Sequence, residues 1–250
     1  MSTSDLEQLL RDLSAGNSPA APLACGSAWA FHHVDACPAP LAAAVAEIAS
    51  RPPPGLILYK FGSRSIVGTY TLGSGDRVVL KYYYPNSLAK HITYGVRGSR
   101  CLQSWRAGAA FHFIGVPTPA PLAIAEWQHL GGLWLSKSFL ATRQADGIAL
   151  DAFIRSHGMD HPLVPKAVES LRRSFALMAA HRAVHGDLKA SNLLLSDTGE
   201  VSFIDLDAAC FLLPSARWKS LREKDRQRFH ANWKNLPDAA ALFRNVFDSP

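Results

Sequence analysis

Leu6, Leu9, Leu10 and Leu13 recur at offsets 0, 3, 4 and 7, which predicts a short amphipathic helix at the start of the chain. Ser4 followed by Glu7 has the spacing of a capping box. The polar side of this stripe is not basic, so its leucines read as intramolecular packing rather than a membrane face. A stretch rich in Ala, Pro and Gly runs to about residue 40, and a helix is predicted over 41–49, stopped by Pro52, Pro53 and Pro54. The texture then becomes strand-like. Residues 56–61, 66–72 and 77–83 are apolar and β-branched runs separated by Gly-Ser turns, the pattern of an antiparallel meander. A helix is predicted over 99–114, ended by Gly115 and the prolines at 117 and 119, and two more strand-like runs, 122–127 and 133–140, flank His129-Leu130-Gly131-Gly132. From Leu150 the period becomes helical, with Leu171, Phe175 and Met178 at offsets 0, 4 and 7, which marks them as core. No internal repeat interrupts this order.

Composition narrows the class without naming it. The chain has 250 residues, 48% hydrophobic and 18% charged, as expected of a domain that buries a large core, and a disulfide scaffold or an acidic disordered chain is excluded. With 26 Lys and Arg against 20 Asp and Glu the net charge is +6, which favours an anionic partner: nucleic acid, a phosphorylated small molecule or an anionic membrane surface. Cys25, Cys37, Cys101 and Cys210 are far apart and read as free thiols of a reducing cytosol. Asp5 and Glu7 stand where a secretory signal needs positive charge, and the uncharged stretch 13–34 contains Gly16, Pro19, Pro22 and Gly26, so neither a signal peptide nor a membrane span is expected.

The chemistry concentrates in His185-Gly186-Asp187-Leu188-Lys189-Ala190-Ser191-Asn192, followed by an apolar run, a turn at 197–200, and a second run ending in Ile204-Asp205-Leu206-Asp207. Phosphoryl transfer from ATP needs a carboxylate to orient the attacking hydroxyl and oxygen ligands to hold Mg²⁺ against the phosphates. Asp187, Asn192 and Asp205 supply that set, with the Asp-x-x-x-x-Asn spacing of a kinase catalytic loop and a second Asp after a hairpin. Such an enzyme also needs a cation for the α and β phosphates on the third strand of its first lobe, where Lys81 stands. The turn Gly62-Ser63-Arg64-Ser65 occupies the place of a phosphate-covering loop, although it is not Gly-x-Gly-x-x-Gly.

HGDLKASN, IDLDAA, VVLKYYYP and GVPTPAPL together resemble the lipopolysaccharide kinase family, the Kdo and core-heptose kinases of Gram-negative bacteria, over roughly residues 55–235. The resemblance implies a bilobal protein-kinase-like α+β fold that moves the ATP γ-phosphate to a sugar hydroxyl of the lipopolysaccharide inner core, at the cytoplasmic face of the inner membrane. It implies Asp187 as catalytic base, Lys189 as γ-phosphate stabiliser, Asn192 and Asp205 as Mg²⁺ ligands and Lys81 as the α/β-phosphate lysine. Asp207 completes the family's Asp-Leu-Asp and reads equally well as a structural aspartate. The expected organisation is an N-terminal helical extension (1–50) packed outside, an N-lobe of antiparallel sheet plus one helix (51–140) and a mainly helical C-lobe (141–250), with ATP between the lobes.

One departure is legible: between Arg77 and Ala125 there is no Asp or Glu, so the helix at 99–114 offers no acid to Lys81, while Arg77, Lys81, Lys90, Arg97, Arg100 and Arg106 are basic. Asp205 or Glu126 could substitute, the nucleotide alone could hold the lysine, or the protein could be a non-catalytic nucleotide-binding relative. The acid-free stretch, and a second basic run at Arg217, Lys219, Arg222, Lys224, Arg226 and Arg228 with Trp218 and Phe229 interleaved, read as substrate or membrane-surface binding or as solvated faces, with no nucleic-acid motif. His32-His33 lacks a third metal ligand, and His185 reads as a structural hydrogen-bonding residue. A small-molecule phosphotransferase of the aminoglycoside or choline kinase type is the nearest enzyme alternative.

Overall fold

A computed structural model describes residues 3–247. They fall into two compact units, one formed by Gln8–Ala109 and Ala120–Gln144, the other by Ala110–Pro119 and residues 145–247 with the chain start at 3–7.

The leucine stripe forms α1 (Thr3–Ala15), which belongs to the first unit from Gln8 onward, with Leu13 fully buried. Ser4 lies inside this helix rather than at its cap. There follow β1 (Ala20–Pro22), β2 (Trp29–His33), α2 (Ala39–Ala49), β3 (Ile57–Phe61), β4 (Ser65–Thr71), β5 (Arg77–Tyr83), α3 (Leu88–Arg97), α4 (Arg100–Phe113), β6 (Pro121–His129) and β7 (Trp134–Arg143). The seven strands make one antiparallel sheet in the order β1-β2-β6-β7-β5-β4-β3. The expected meander is its β5-β4-β3 end. Three elements differ from the expectation. Where the sequence predicts a helical extension over 1–50, β1 and β2 add to the sheet edge, with Trp29 opposite Glu126 and Phe31 opposite Ile124. β1 (Ala-Ala-Pro) is too short to show a strand period, and β2, with Trp29 and Phe31, pairs with β6 on one side and with β1 on the other. Helix α3 was not visible either, because Ile92, Thr93, Gly95 and Val96 are weak helix formers. Ser87 caps it, accepting from the Lys90 amide.

Side chains alternate across this sheet. Leu80, Tyr82, Leu122 and Phe139 bury one face with Leu41 and Val45 of α2. Ile124 and Leu140 face the other way and pack with Cys101 and Trp105 of α4 and Leu13 of α1. Lys81, opposite Leu140 and between the α2-facing Leu80 and Tyr82, therefore lies on the α4 side of the sheet. Tyr82 closes the α2 side: its hydroxyl donates to the carbonyls of Ile48 (2.7 Å) and Arg51 (3.2 Å) where α2 ends before the prolines, and burial pushes its pKa up.

The second unit contains β8 (Ile148–Ala149), α5 (Leu150–His157), α6 (Leu163–Ala180), β9 (Leu193–Leu195), β10 (Val201–Phe203), α7 (Ser215–Ala231) and α8 (Pro237–Leu242), with a small sheet β10-β9-β8. Its core is aromatic. Phe175 stacks on Phe247 at 4.1 Å between ring centroids, and Phe229 meets Phe243 edge-on at 5.6 Å. The segment at 117–118 is tied to β10, the Phe203 amide donating to the Pro117 carbonyl and Thr118 Oγ1 to the Phe203 carbonyl, each at 2.8 Å. All four cysteines are free, and among the described residues no helix is long and apolar enough to cross a membrane.

Tyr82→Phe removes the hydroxyl that serves both carbonyls at the end of α2. It is expected to cost about 1 kcal/mol, seen as a melting temperature lower by about 2–4 °C with unchanged secondary structure by circular dichroism.

Candidate active site

The loop between α6 and β9 is shaped by one buried acid. Asp225, 3% exposed, projects from α7 and its carboxylate accepts three backbone N–H groups of the loop: His185 and Gly186 at Oδ2 (2.8 and 2.9 Å) and Leu188 at Oδ1 (3.4 Å). An isolated pair of backbone bridges, Val184 with Cys210, fixes where the loop begins. Gly186 follows at φ +83°, and a Cβ there would run into the Ala208 carbonyl, so only glycine fits.

His185 is fully buried and serves geometry, not proton transfer. Its Nδ1 accepts the Asp187 N–H at 3.3 Å, which makes Nε2 the donor to the Ile204 carbonyl at 3.0 Å. This uses the neutral ring, and burial lowers its pKa below the ordinary 6.5. The Ile204 peptide is held from its other side too, its N–H donating to the Asn192 carbonyl at 3.0 Å. Asn192 in turn donates from Nδ2 to the Asp187 carbonyl at 2.9 Å, which leaves its amide oxygen as the acceptor. Asp187, Asn192 and Asp205 are thus linked through hydrogen bonds of a few backbone groups. Asp205 adopts a left-handed conformation (φ +61°, ψ +53°), a turn that Asp tolerates better than most residues.

Two cations attend the Asp187 carboxylate. Lys189 Nζ donates to Oδ2 at 2.7 Å, and Arg228 Nη1 lies 3.7 Å from Oδ1 while donating to the Gly186 carbonyl. The Lys189 and Asp187 side chains are 52% and 31% exposed. A pair so open to water is weakly held, so exchanging the carboxylate for a phosphate oxygen costs Lys189 little.

The remaining predicted residues lie in the sheet unit. Gly62 donates its N–H to the Ser65 carbonyl at 3.1 Å, closing the turn between β3 and β4 with Ser63 and Arg64 exposed, whereas Ser65 is buried at the start of β4. Lys81 has its place on the α4 face of β5. The acid on that face is Glu126 of β6, which accepts from Ser99 and from Gln128 (2.9 Å) and has its pKa raised by burial. Ser99 Oγ also accepts the Leu102 N–H at 2.9 Å, so Glu126 anchors the start of α4 to the sheet through the capping serine. His32 and His33 each bond nearby backbone, to the Cys37 carbonyl and the Ala36 amide, and among the described residues no cluster of His, Cys, Asp and Glu is built to hold a metal.

Sequence reasoning missed the roles of Asp225, an acid that interrupts the basic run, and of Arg228, a member of that run. The signal was present: Leu221, Asp225 and Phe229 are spaced by four, which places the acid on the apolar face of α7. Much of that run is engaged within the unit. Phe229 is core, Trp218 donates to the Ala183 carbonyl at 3.3 Å, Arg222 lies over the Trp218 ring, and Arg226 pairs with Glu223.

Two consequences are measurable. Asp225→Ala orphans three loop amides, each worth about 1–3 kcal/mol when unsatisfied and buried, and is expected to lower the melting temperature and to cut the turnover number about tenfold or more; Asp225→Asn, which keeps an acceptor oxygen, falls between. Because the folded state holds His185 neutral, the unfolded chain takes up a proton that the folded one refuses, so stability falls as pH drops below about 6.5. Thermal melts from pH 7.5 to 5.5 are expected to show a shallower pH slope for His185→Gln than for the wild type.

With this geometry in place, the chain can be set against known proteins. No curated protein matches it. Among solved structures, WaaP in complex with acyl carrier protein aligns with a TM-score of 0.57 at 21% identity, over 78% of this chain and 79% of that one. A Stt7 homolog from Micromonas algae soaked with ATP aligns with a TM-score of 0.47 at 19% identity, over 66% and 55%. The WaaP likeness shows the fold, α+β of the protein-kinase-like type. The model of the lipopolysaccharide kinase (Kdo/WaaP) family matches residues 66–240, from β4 through the loop at Asp187 and the Asp225 helix into α8. The chain therefore belongs to the lipopolysaccharide kinase (Kdo/WaaP) family of phosphotransferases.

Proposed function

We propose that the protein transfers the γ-phosphate of ATP to a hydroxyl of a Kdo or heptose sugar in the lipopolysaccharide inner core. The observation that carries this reading is the hydrogen-bonded assembly of Asp187, Asn192 and the Ile204-Asp205 peptide in a chain of this family. Asp187 orients the sugar hydroxyl and takes its proton, and Lys189 leaves the Asp187 carboxylate for a γ-phosphate oxygen. Arg228 keeps the loop backbone in place through the Gly186 carbonyl.

Asn192 and Asp205 fit Mg²⁺, since an amide oxygen and a carboxylate are the hard donors it takes alongside phosphate oxygens. When bound there, the ion would neutralise charge on the phosphates. In the sheet unit Lys81 would bind the α and β phosphates, with the Gly62-Ser63-Arg64-Ser65 turn supplying backbone N–H groups and the Arg64 cation. Glu126, reached from β6, replaces the helix glutamate that α4 lacks as the acid on the Lys81 face. The WaaP structure contains acyl carrier protein, which makes that protein a partner to test for this chain as well.

The test is transfer of label from γ-labelled ATP, with Mg²⁺, into dephosphorylated inner-core lipopolysaccharide. Wild-type protein is expected to label the glycolipid, and Asp187→Ala or Asp205→Ala to reduce transfer at least about a hundredfold. Unreduced transfer by Asp187→Ala would remove that residue from the mechanism. ATP binding without label in the glycolipid would reject the acceptor.

A further inference from the structure

Helix α3 is amphipathic, yet none of its residues is buried. Leu88, Ile92 and Val96, one turn apart on a single side, are 73%, 51% and 61% exposed. The turn between β6 and β7 adds Leu130 at 75% and Leu133 at 58%. These residues belong to one patch because the helix is fixed on the turn. His91 stacks on Trp134 at 4.3 Å and its Nδ1 bonds the Leu135 carbonyl at 2.6 Å, while Gly95 packs so closely that a Cβ would stand 2.6 Å from the Gly132 carbonyl oxygen. Such a concentration of exposed aliphatic side chains marks an interaction surface.

We propose that α3 and the β6–β7 turn form a docking surface for an anionic lipid bilayer, with Leu88, Ile92, Val96, Leu130 and Leu133 entering the headgroup boundary. The charge around the patch selects this occupant. Lys90 and Arg97 lie on the polar side of α3 and Arg100 follows it, and from Arg77 to Ala125 no acid occurs that would repel lipid phosphates. A helix with an aliphatic face and a basic opposite face lies in the plane of such an interface. The fixed helix is pre-organised, so no folding cost accompanies insertion. The inference adds to the proposed function, and rests on it for its purpose: a kinase whose acceptor sugar is anchored in lipid gains by residing on the same surface.

The experiment is flotation of the full chain, without ATP, on equimolar phosphatidylglycerol–phosphatidylcholine vesicles and on pure phosphatidylcholine vesicles. Wild-type protein is expected to float with the anionic vesicles, less so at high salt, and an Ile92→Glu/Val96→Glu variant to partition at least about tenfold more weakly. Lys90→Glu/Arg97→Glu should lose the preference for anionic lipid. The Ile92→Glu/Val96→Glu variant should keep the wild-type melting temperature and the wild-type rate on a de-acylated, water-soluble core oligosaccharide while losing rate on vesicle-embedded glycolipid. Failure of the wild type to float, or equal flotation of Ile92→Glu/Val96→Glu, overturns the proposal. Binding of acyl carrier protein that Ile92→Glu/Val96→Glu abolishes, without vesicle binding, also overturns it and reassigns the patch to a protein. Flotation without phosphate transfer upholds this surface and rejects the kinase reading instead.

Discussion

A single carboxylate, Asp225, holds the loop on which the chemistry depends. Three consecutive-region amides, at 185, 186 and 188, point at it, so the loop's backbone is set by a helix 37–40 residues further along the chain. Burying an acid is costly unless its oxygens are filled, and here the loop fills them. From this fixed backbone the rest follows in order: His185 supports the Asp187 amide and the Ile204 carbonyl, Asn192 spans the Asp187 carbonyl and the Ile204 amide, and Asp205 is delivered beside them. The reactive groups themselves remain half open to water, as the Lys189 and Asp187 pair shows. Rigidity thus resides in the buried supports, and the exposed tips of Lys189 and Asp187 are held only by a water-open ion pair.

In the sheet unit the governing constraint is the two-residue alternation of β5. Because Leu80 and Tyr82 belong to the core beneath α2, Lys81 is committed to the face beneath α4. Helix α4 offers that lysine no acid, and Glu126 of β6 stands on the same face of the sheet. Its hydrogen bond from Ser99 couples the start of α4 to β6, so the same residue stands on the Lys81 face and anchors the helix covering it. Burial raises its pKa, and the hydrogen bonds from Ser99 and Gln128 offset part of that rise.

The same unit leaves α3 outside its core. A helix whose aliphatic side is unburied gains little from the fold and is held by a few contacts, His91 on Trp134 and Gly95 on the turn. The fold retains it in spite of that small return, on the flank where no acid interrupts the basic residues. A surface used for association rather than for packing explains this combination.

Much of this was legible in the residues. The catalytic-loop spacing, Lys81 on the third strand of the meander, the helix at 99–114 and the aromatic and leucine periods of α6 follow from local pattern, because 3.6- and 2-residue periods and fixed motif offsets are properties of the chain itself. Membership in a kinase family was therefore readable from sequence. What the pattern could not carry is partnership between distant segments. Strand β2 docks on β6, far along the chain, and the short β1 docks on β2, pairings that no local period announces. Asp225 and Arg228 looked like members of a charged run until folding turned one into the support of the loop and brought the other to its carbonyl. Local propensity and motif spacing determined most of the elements and pointed to the candidate site residues. Burial and hydrogen-bond satisfaction, which depend on contacts between segments far apart in sequence, decided what holds them in place.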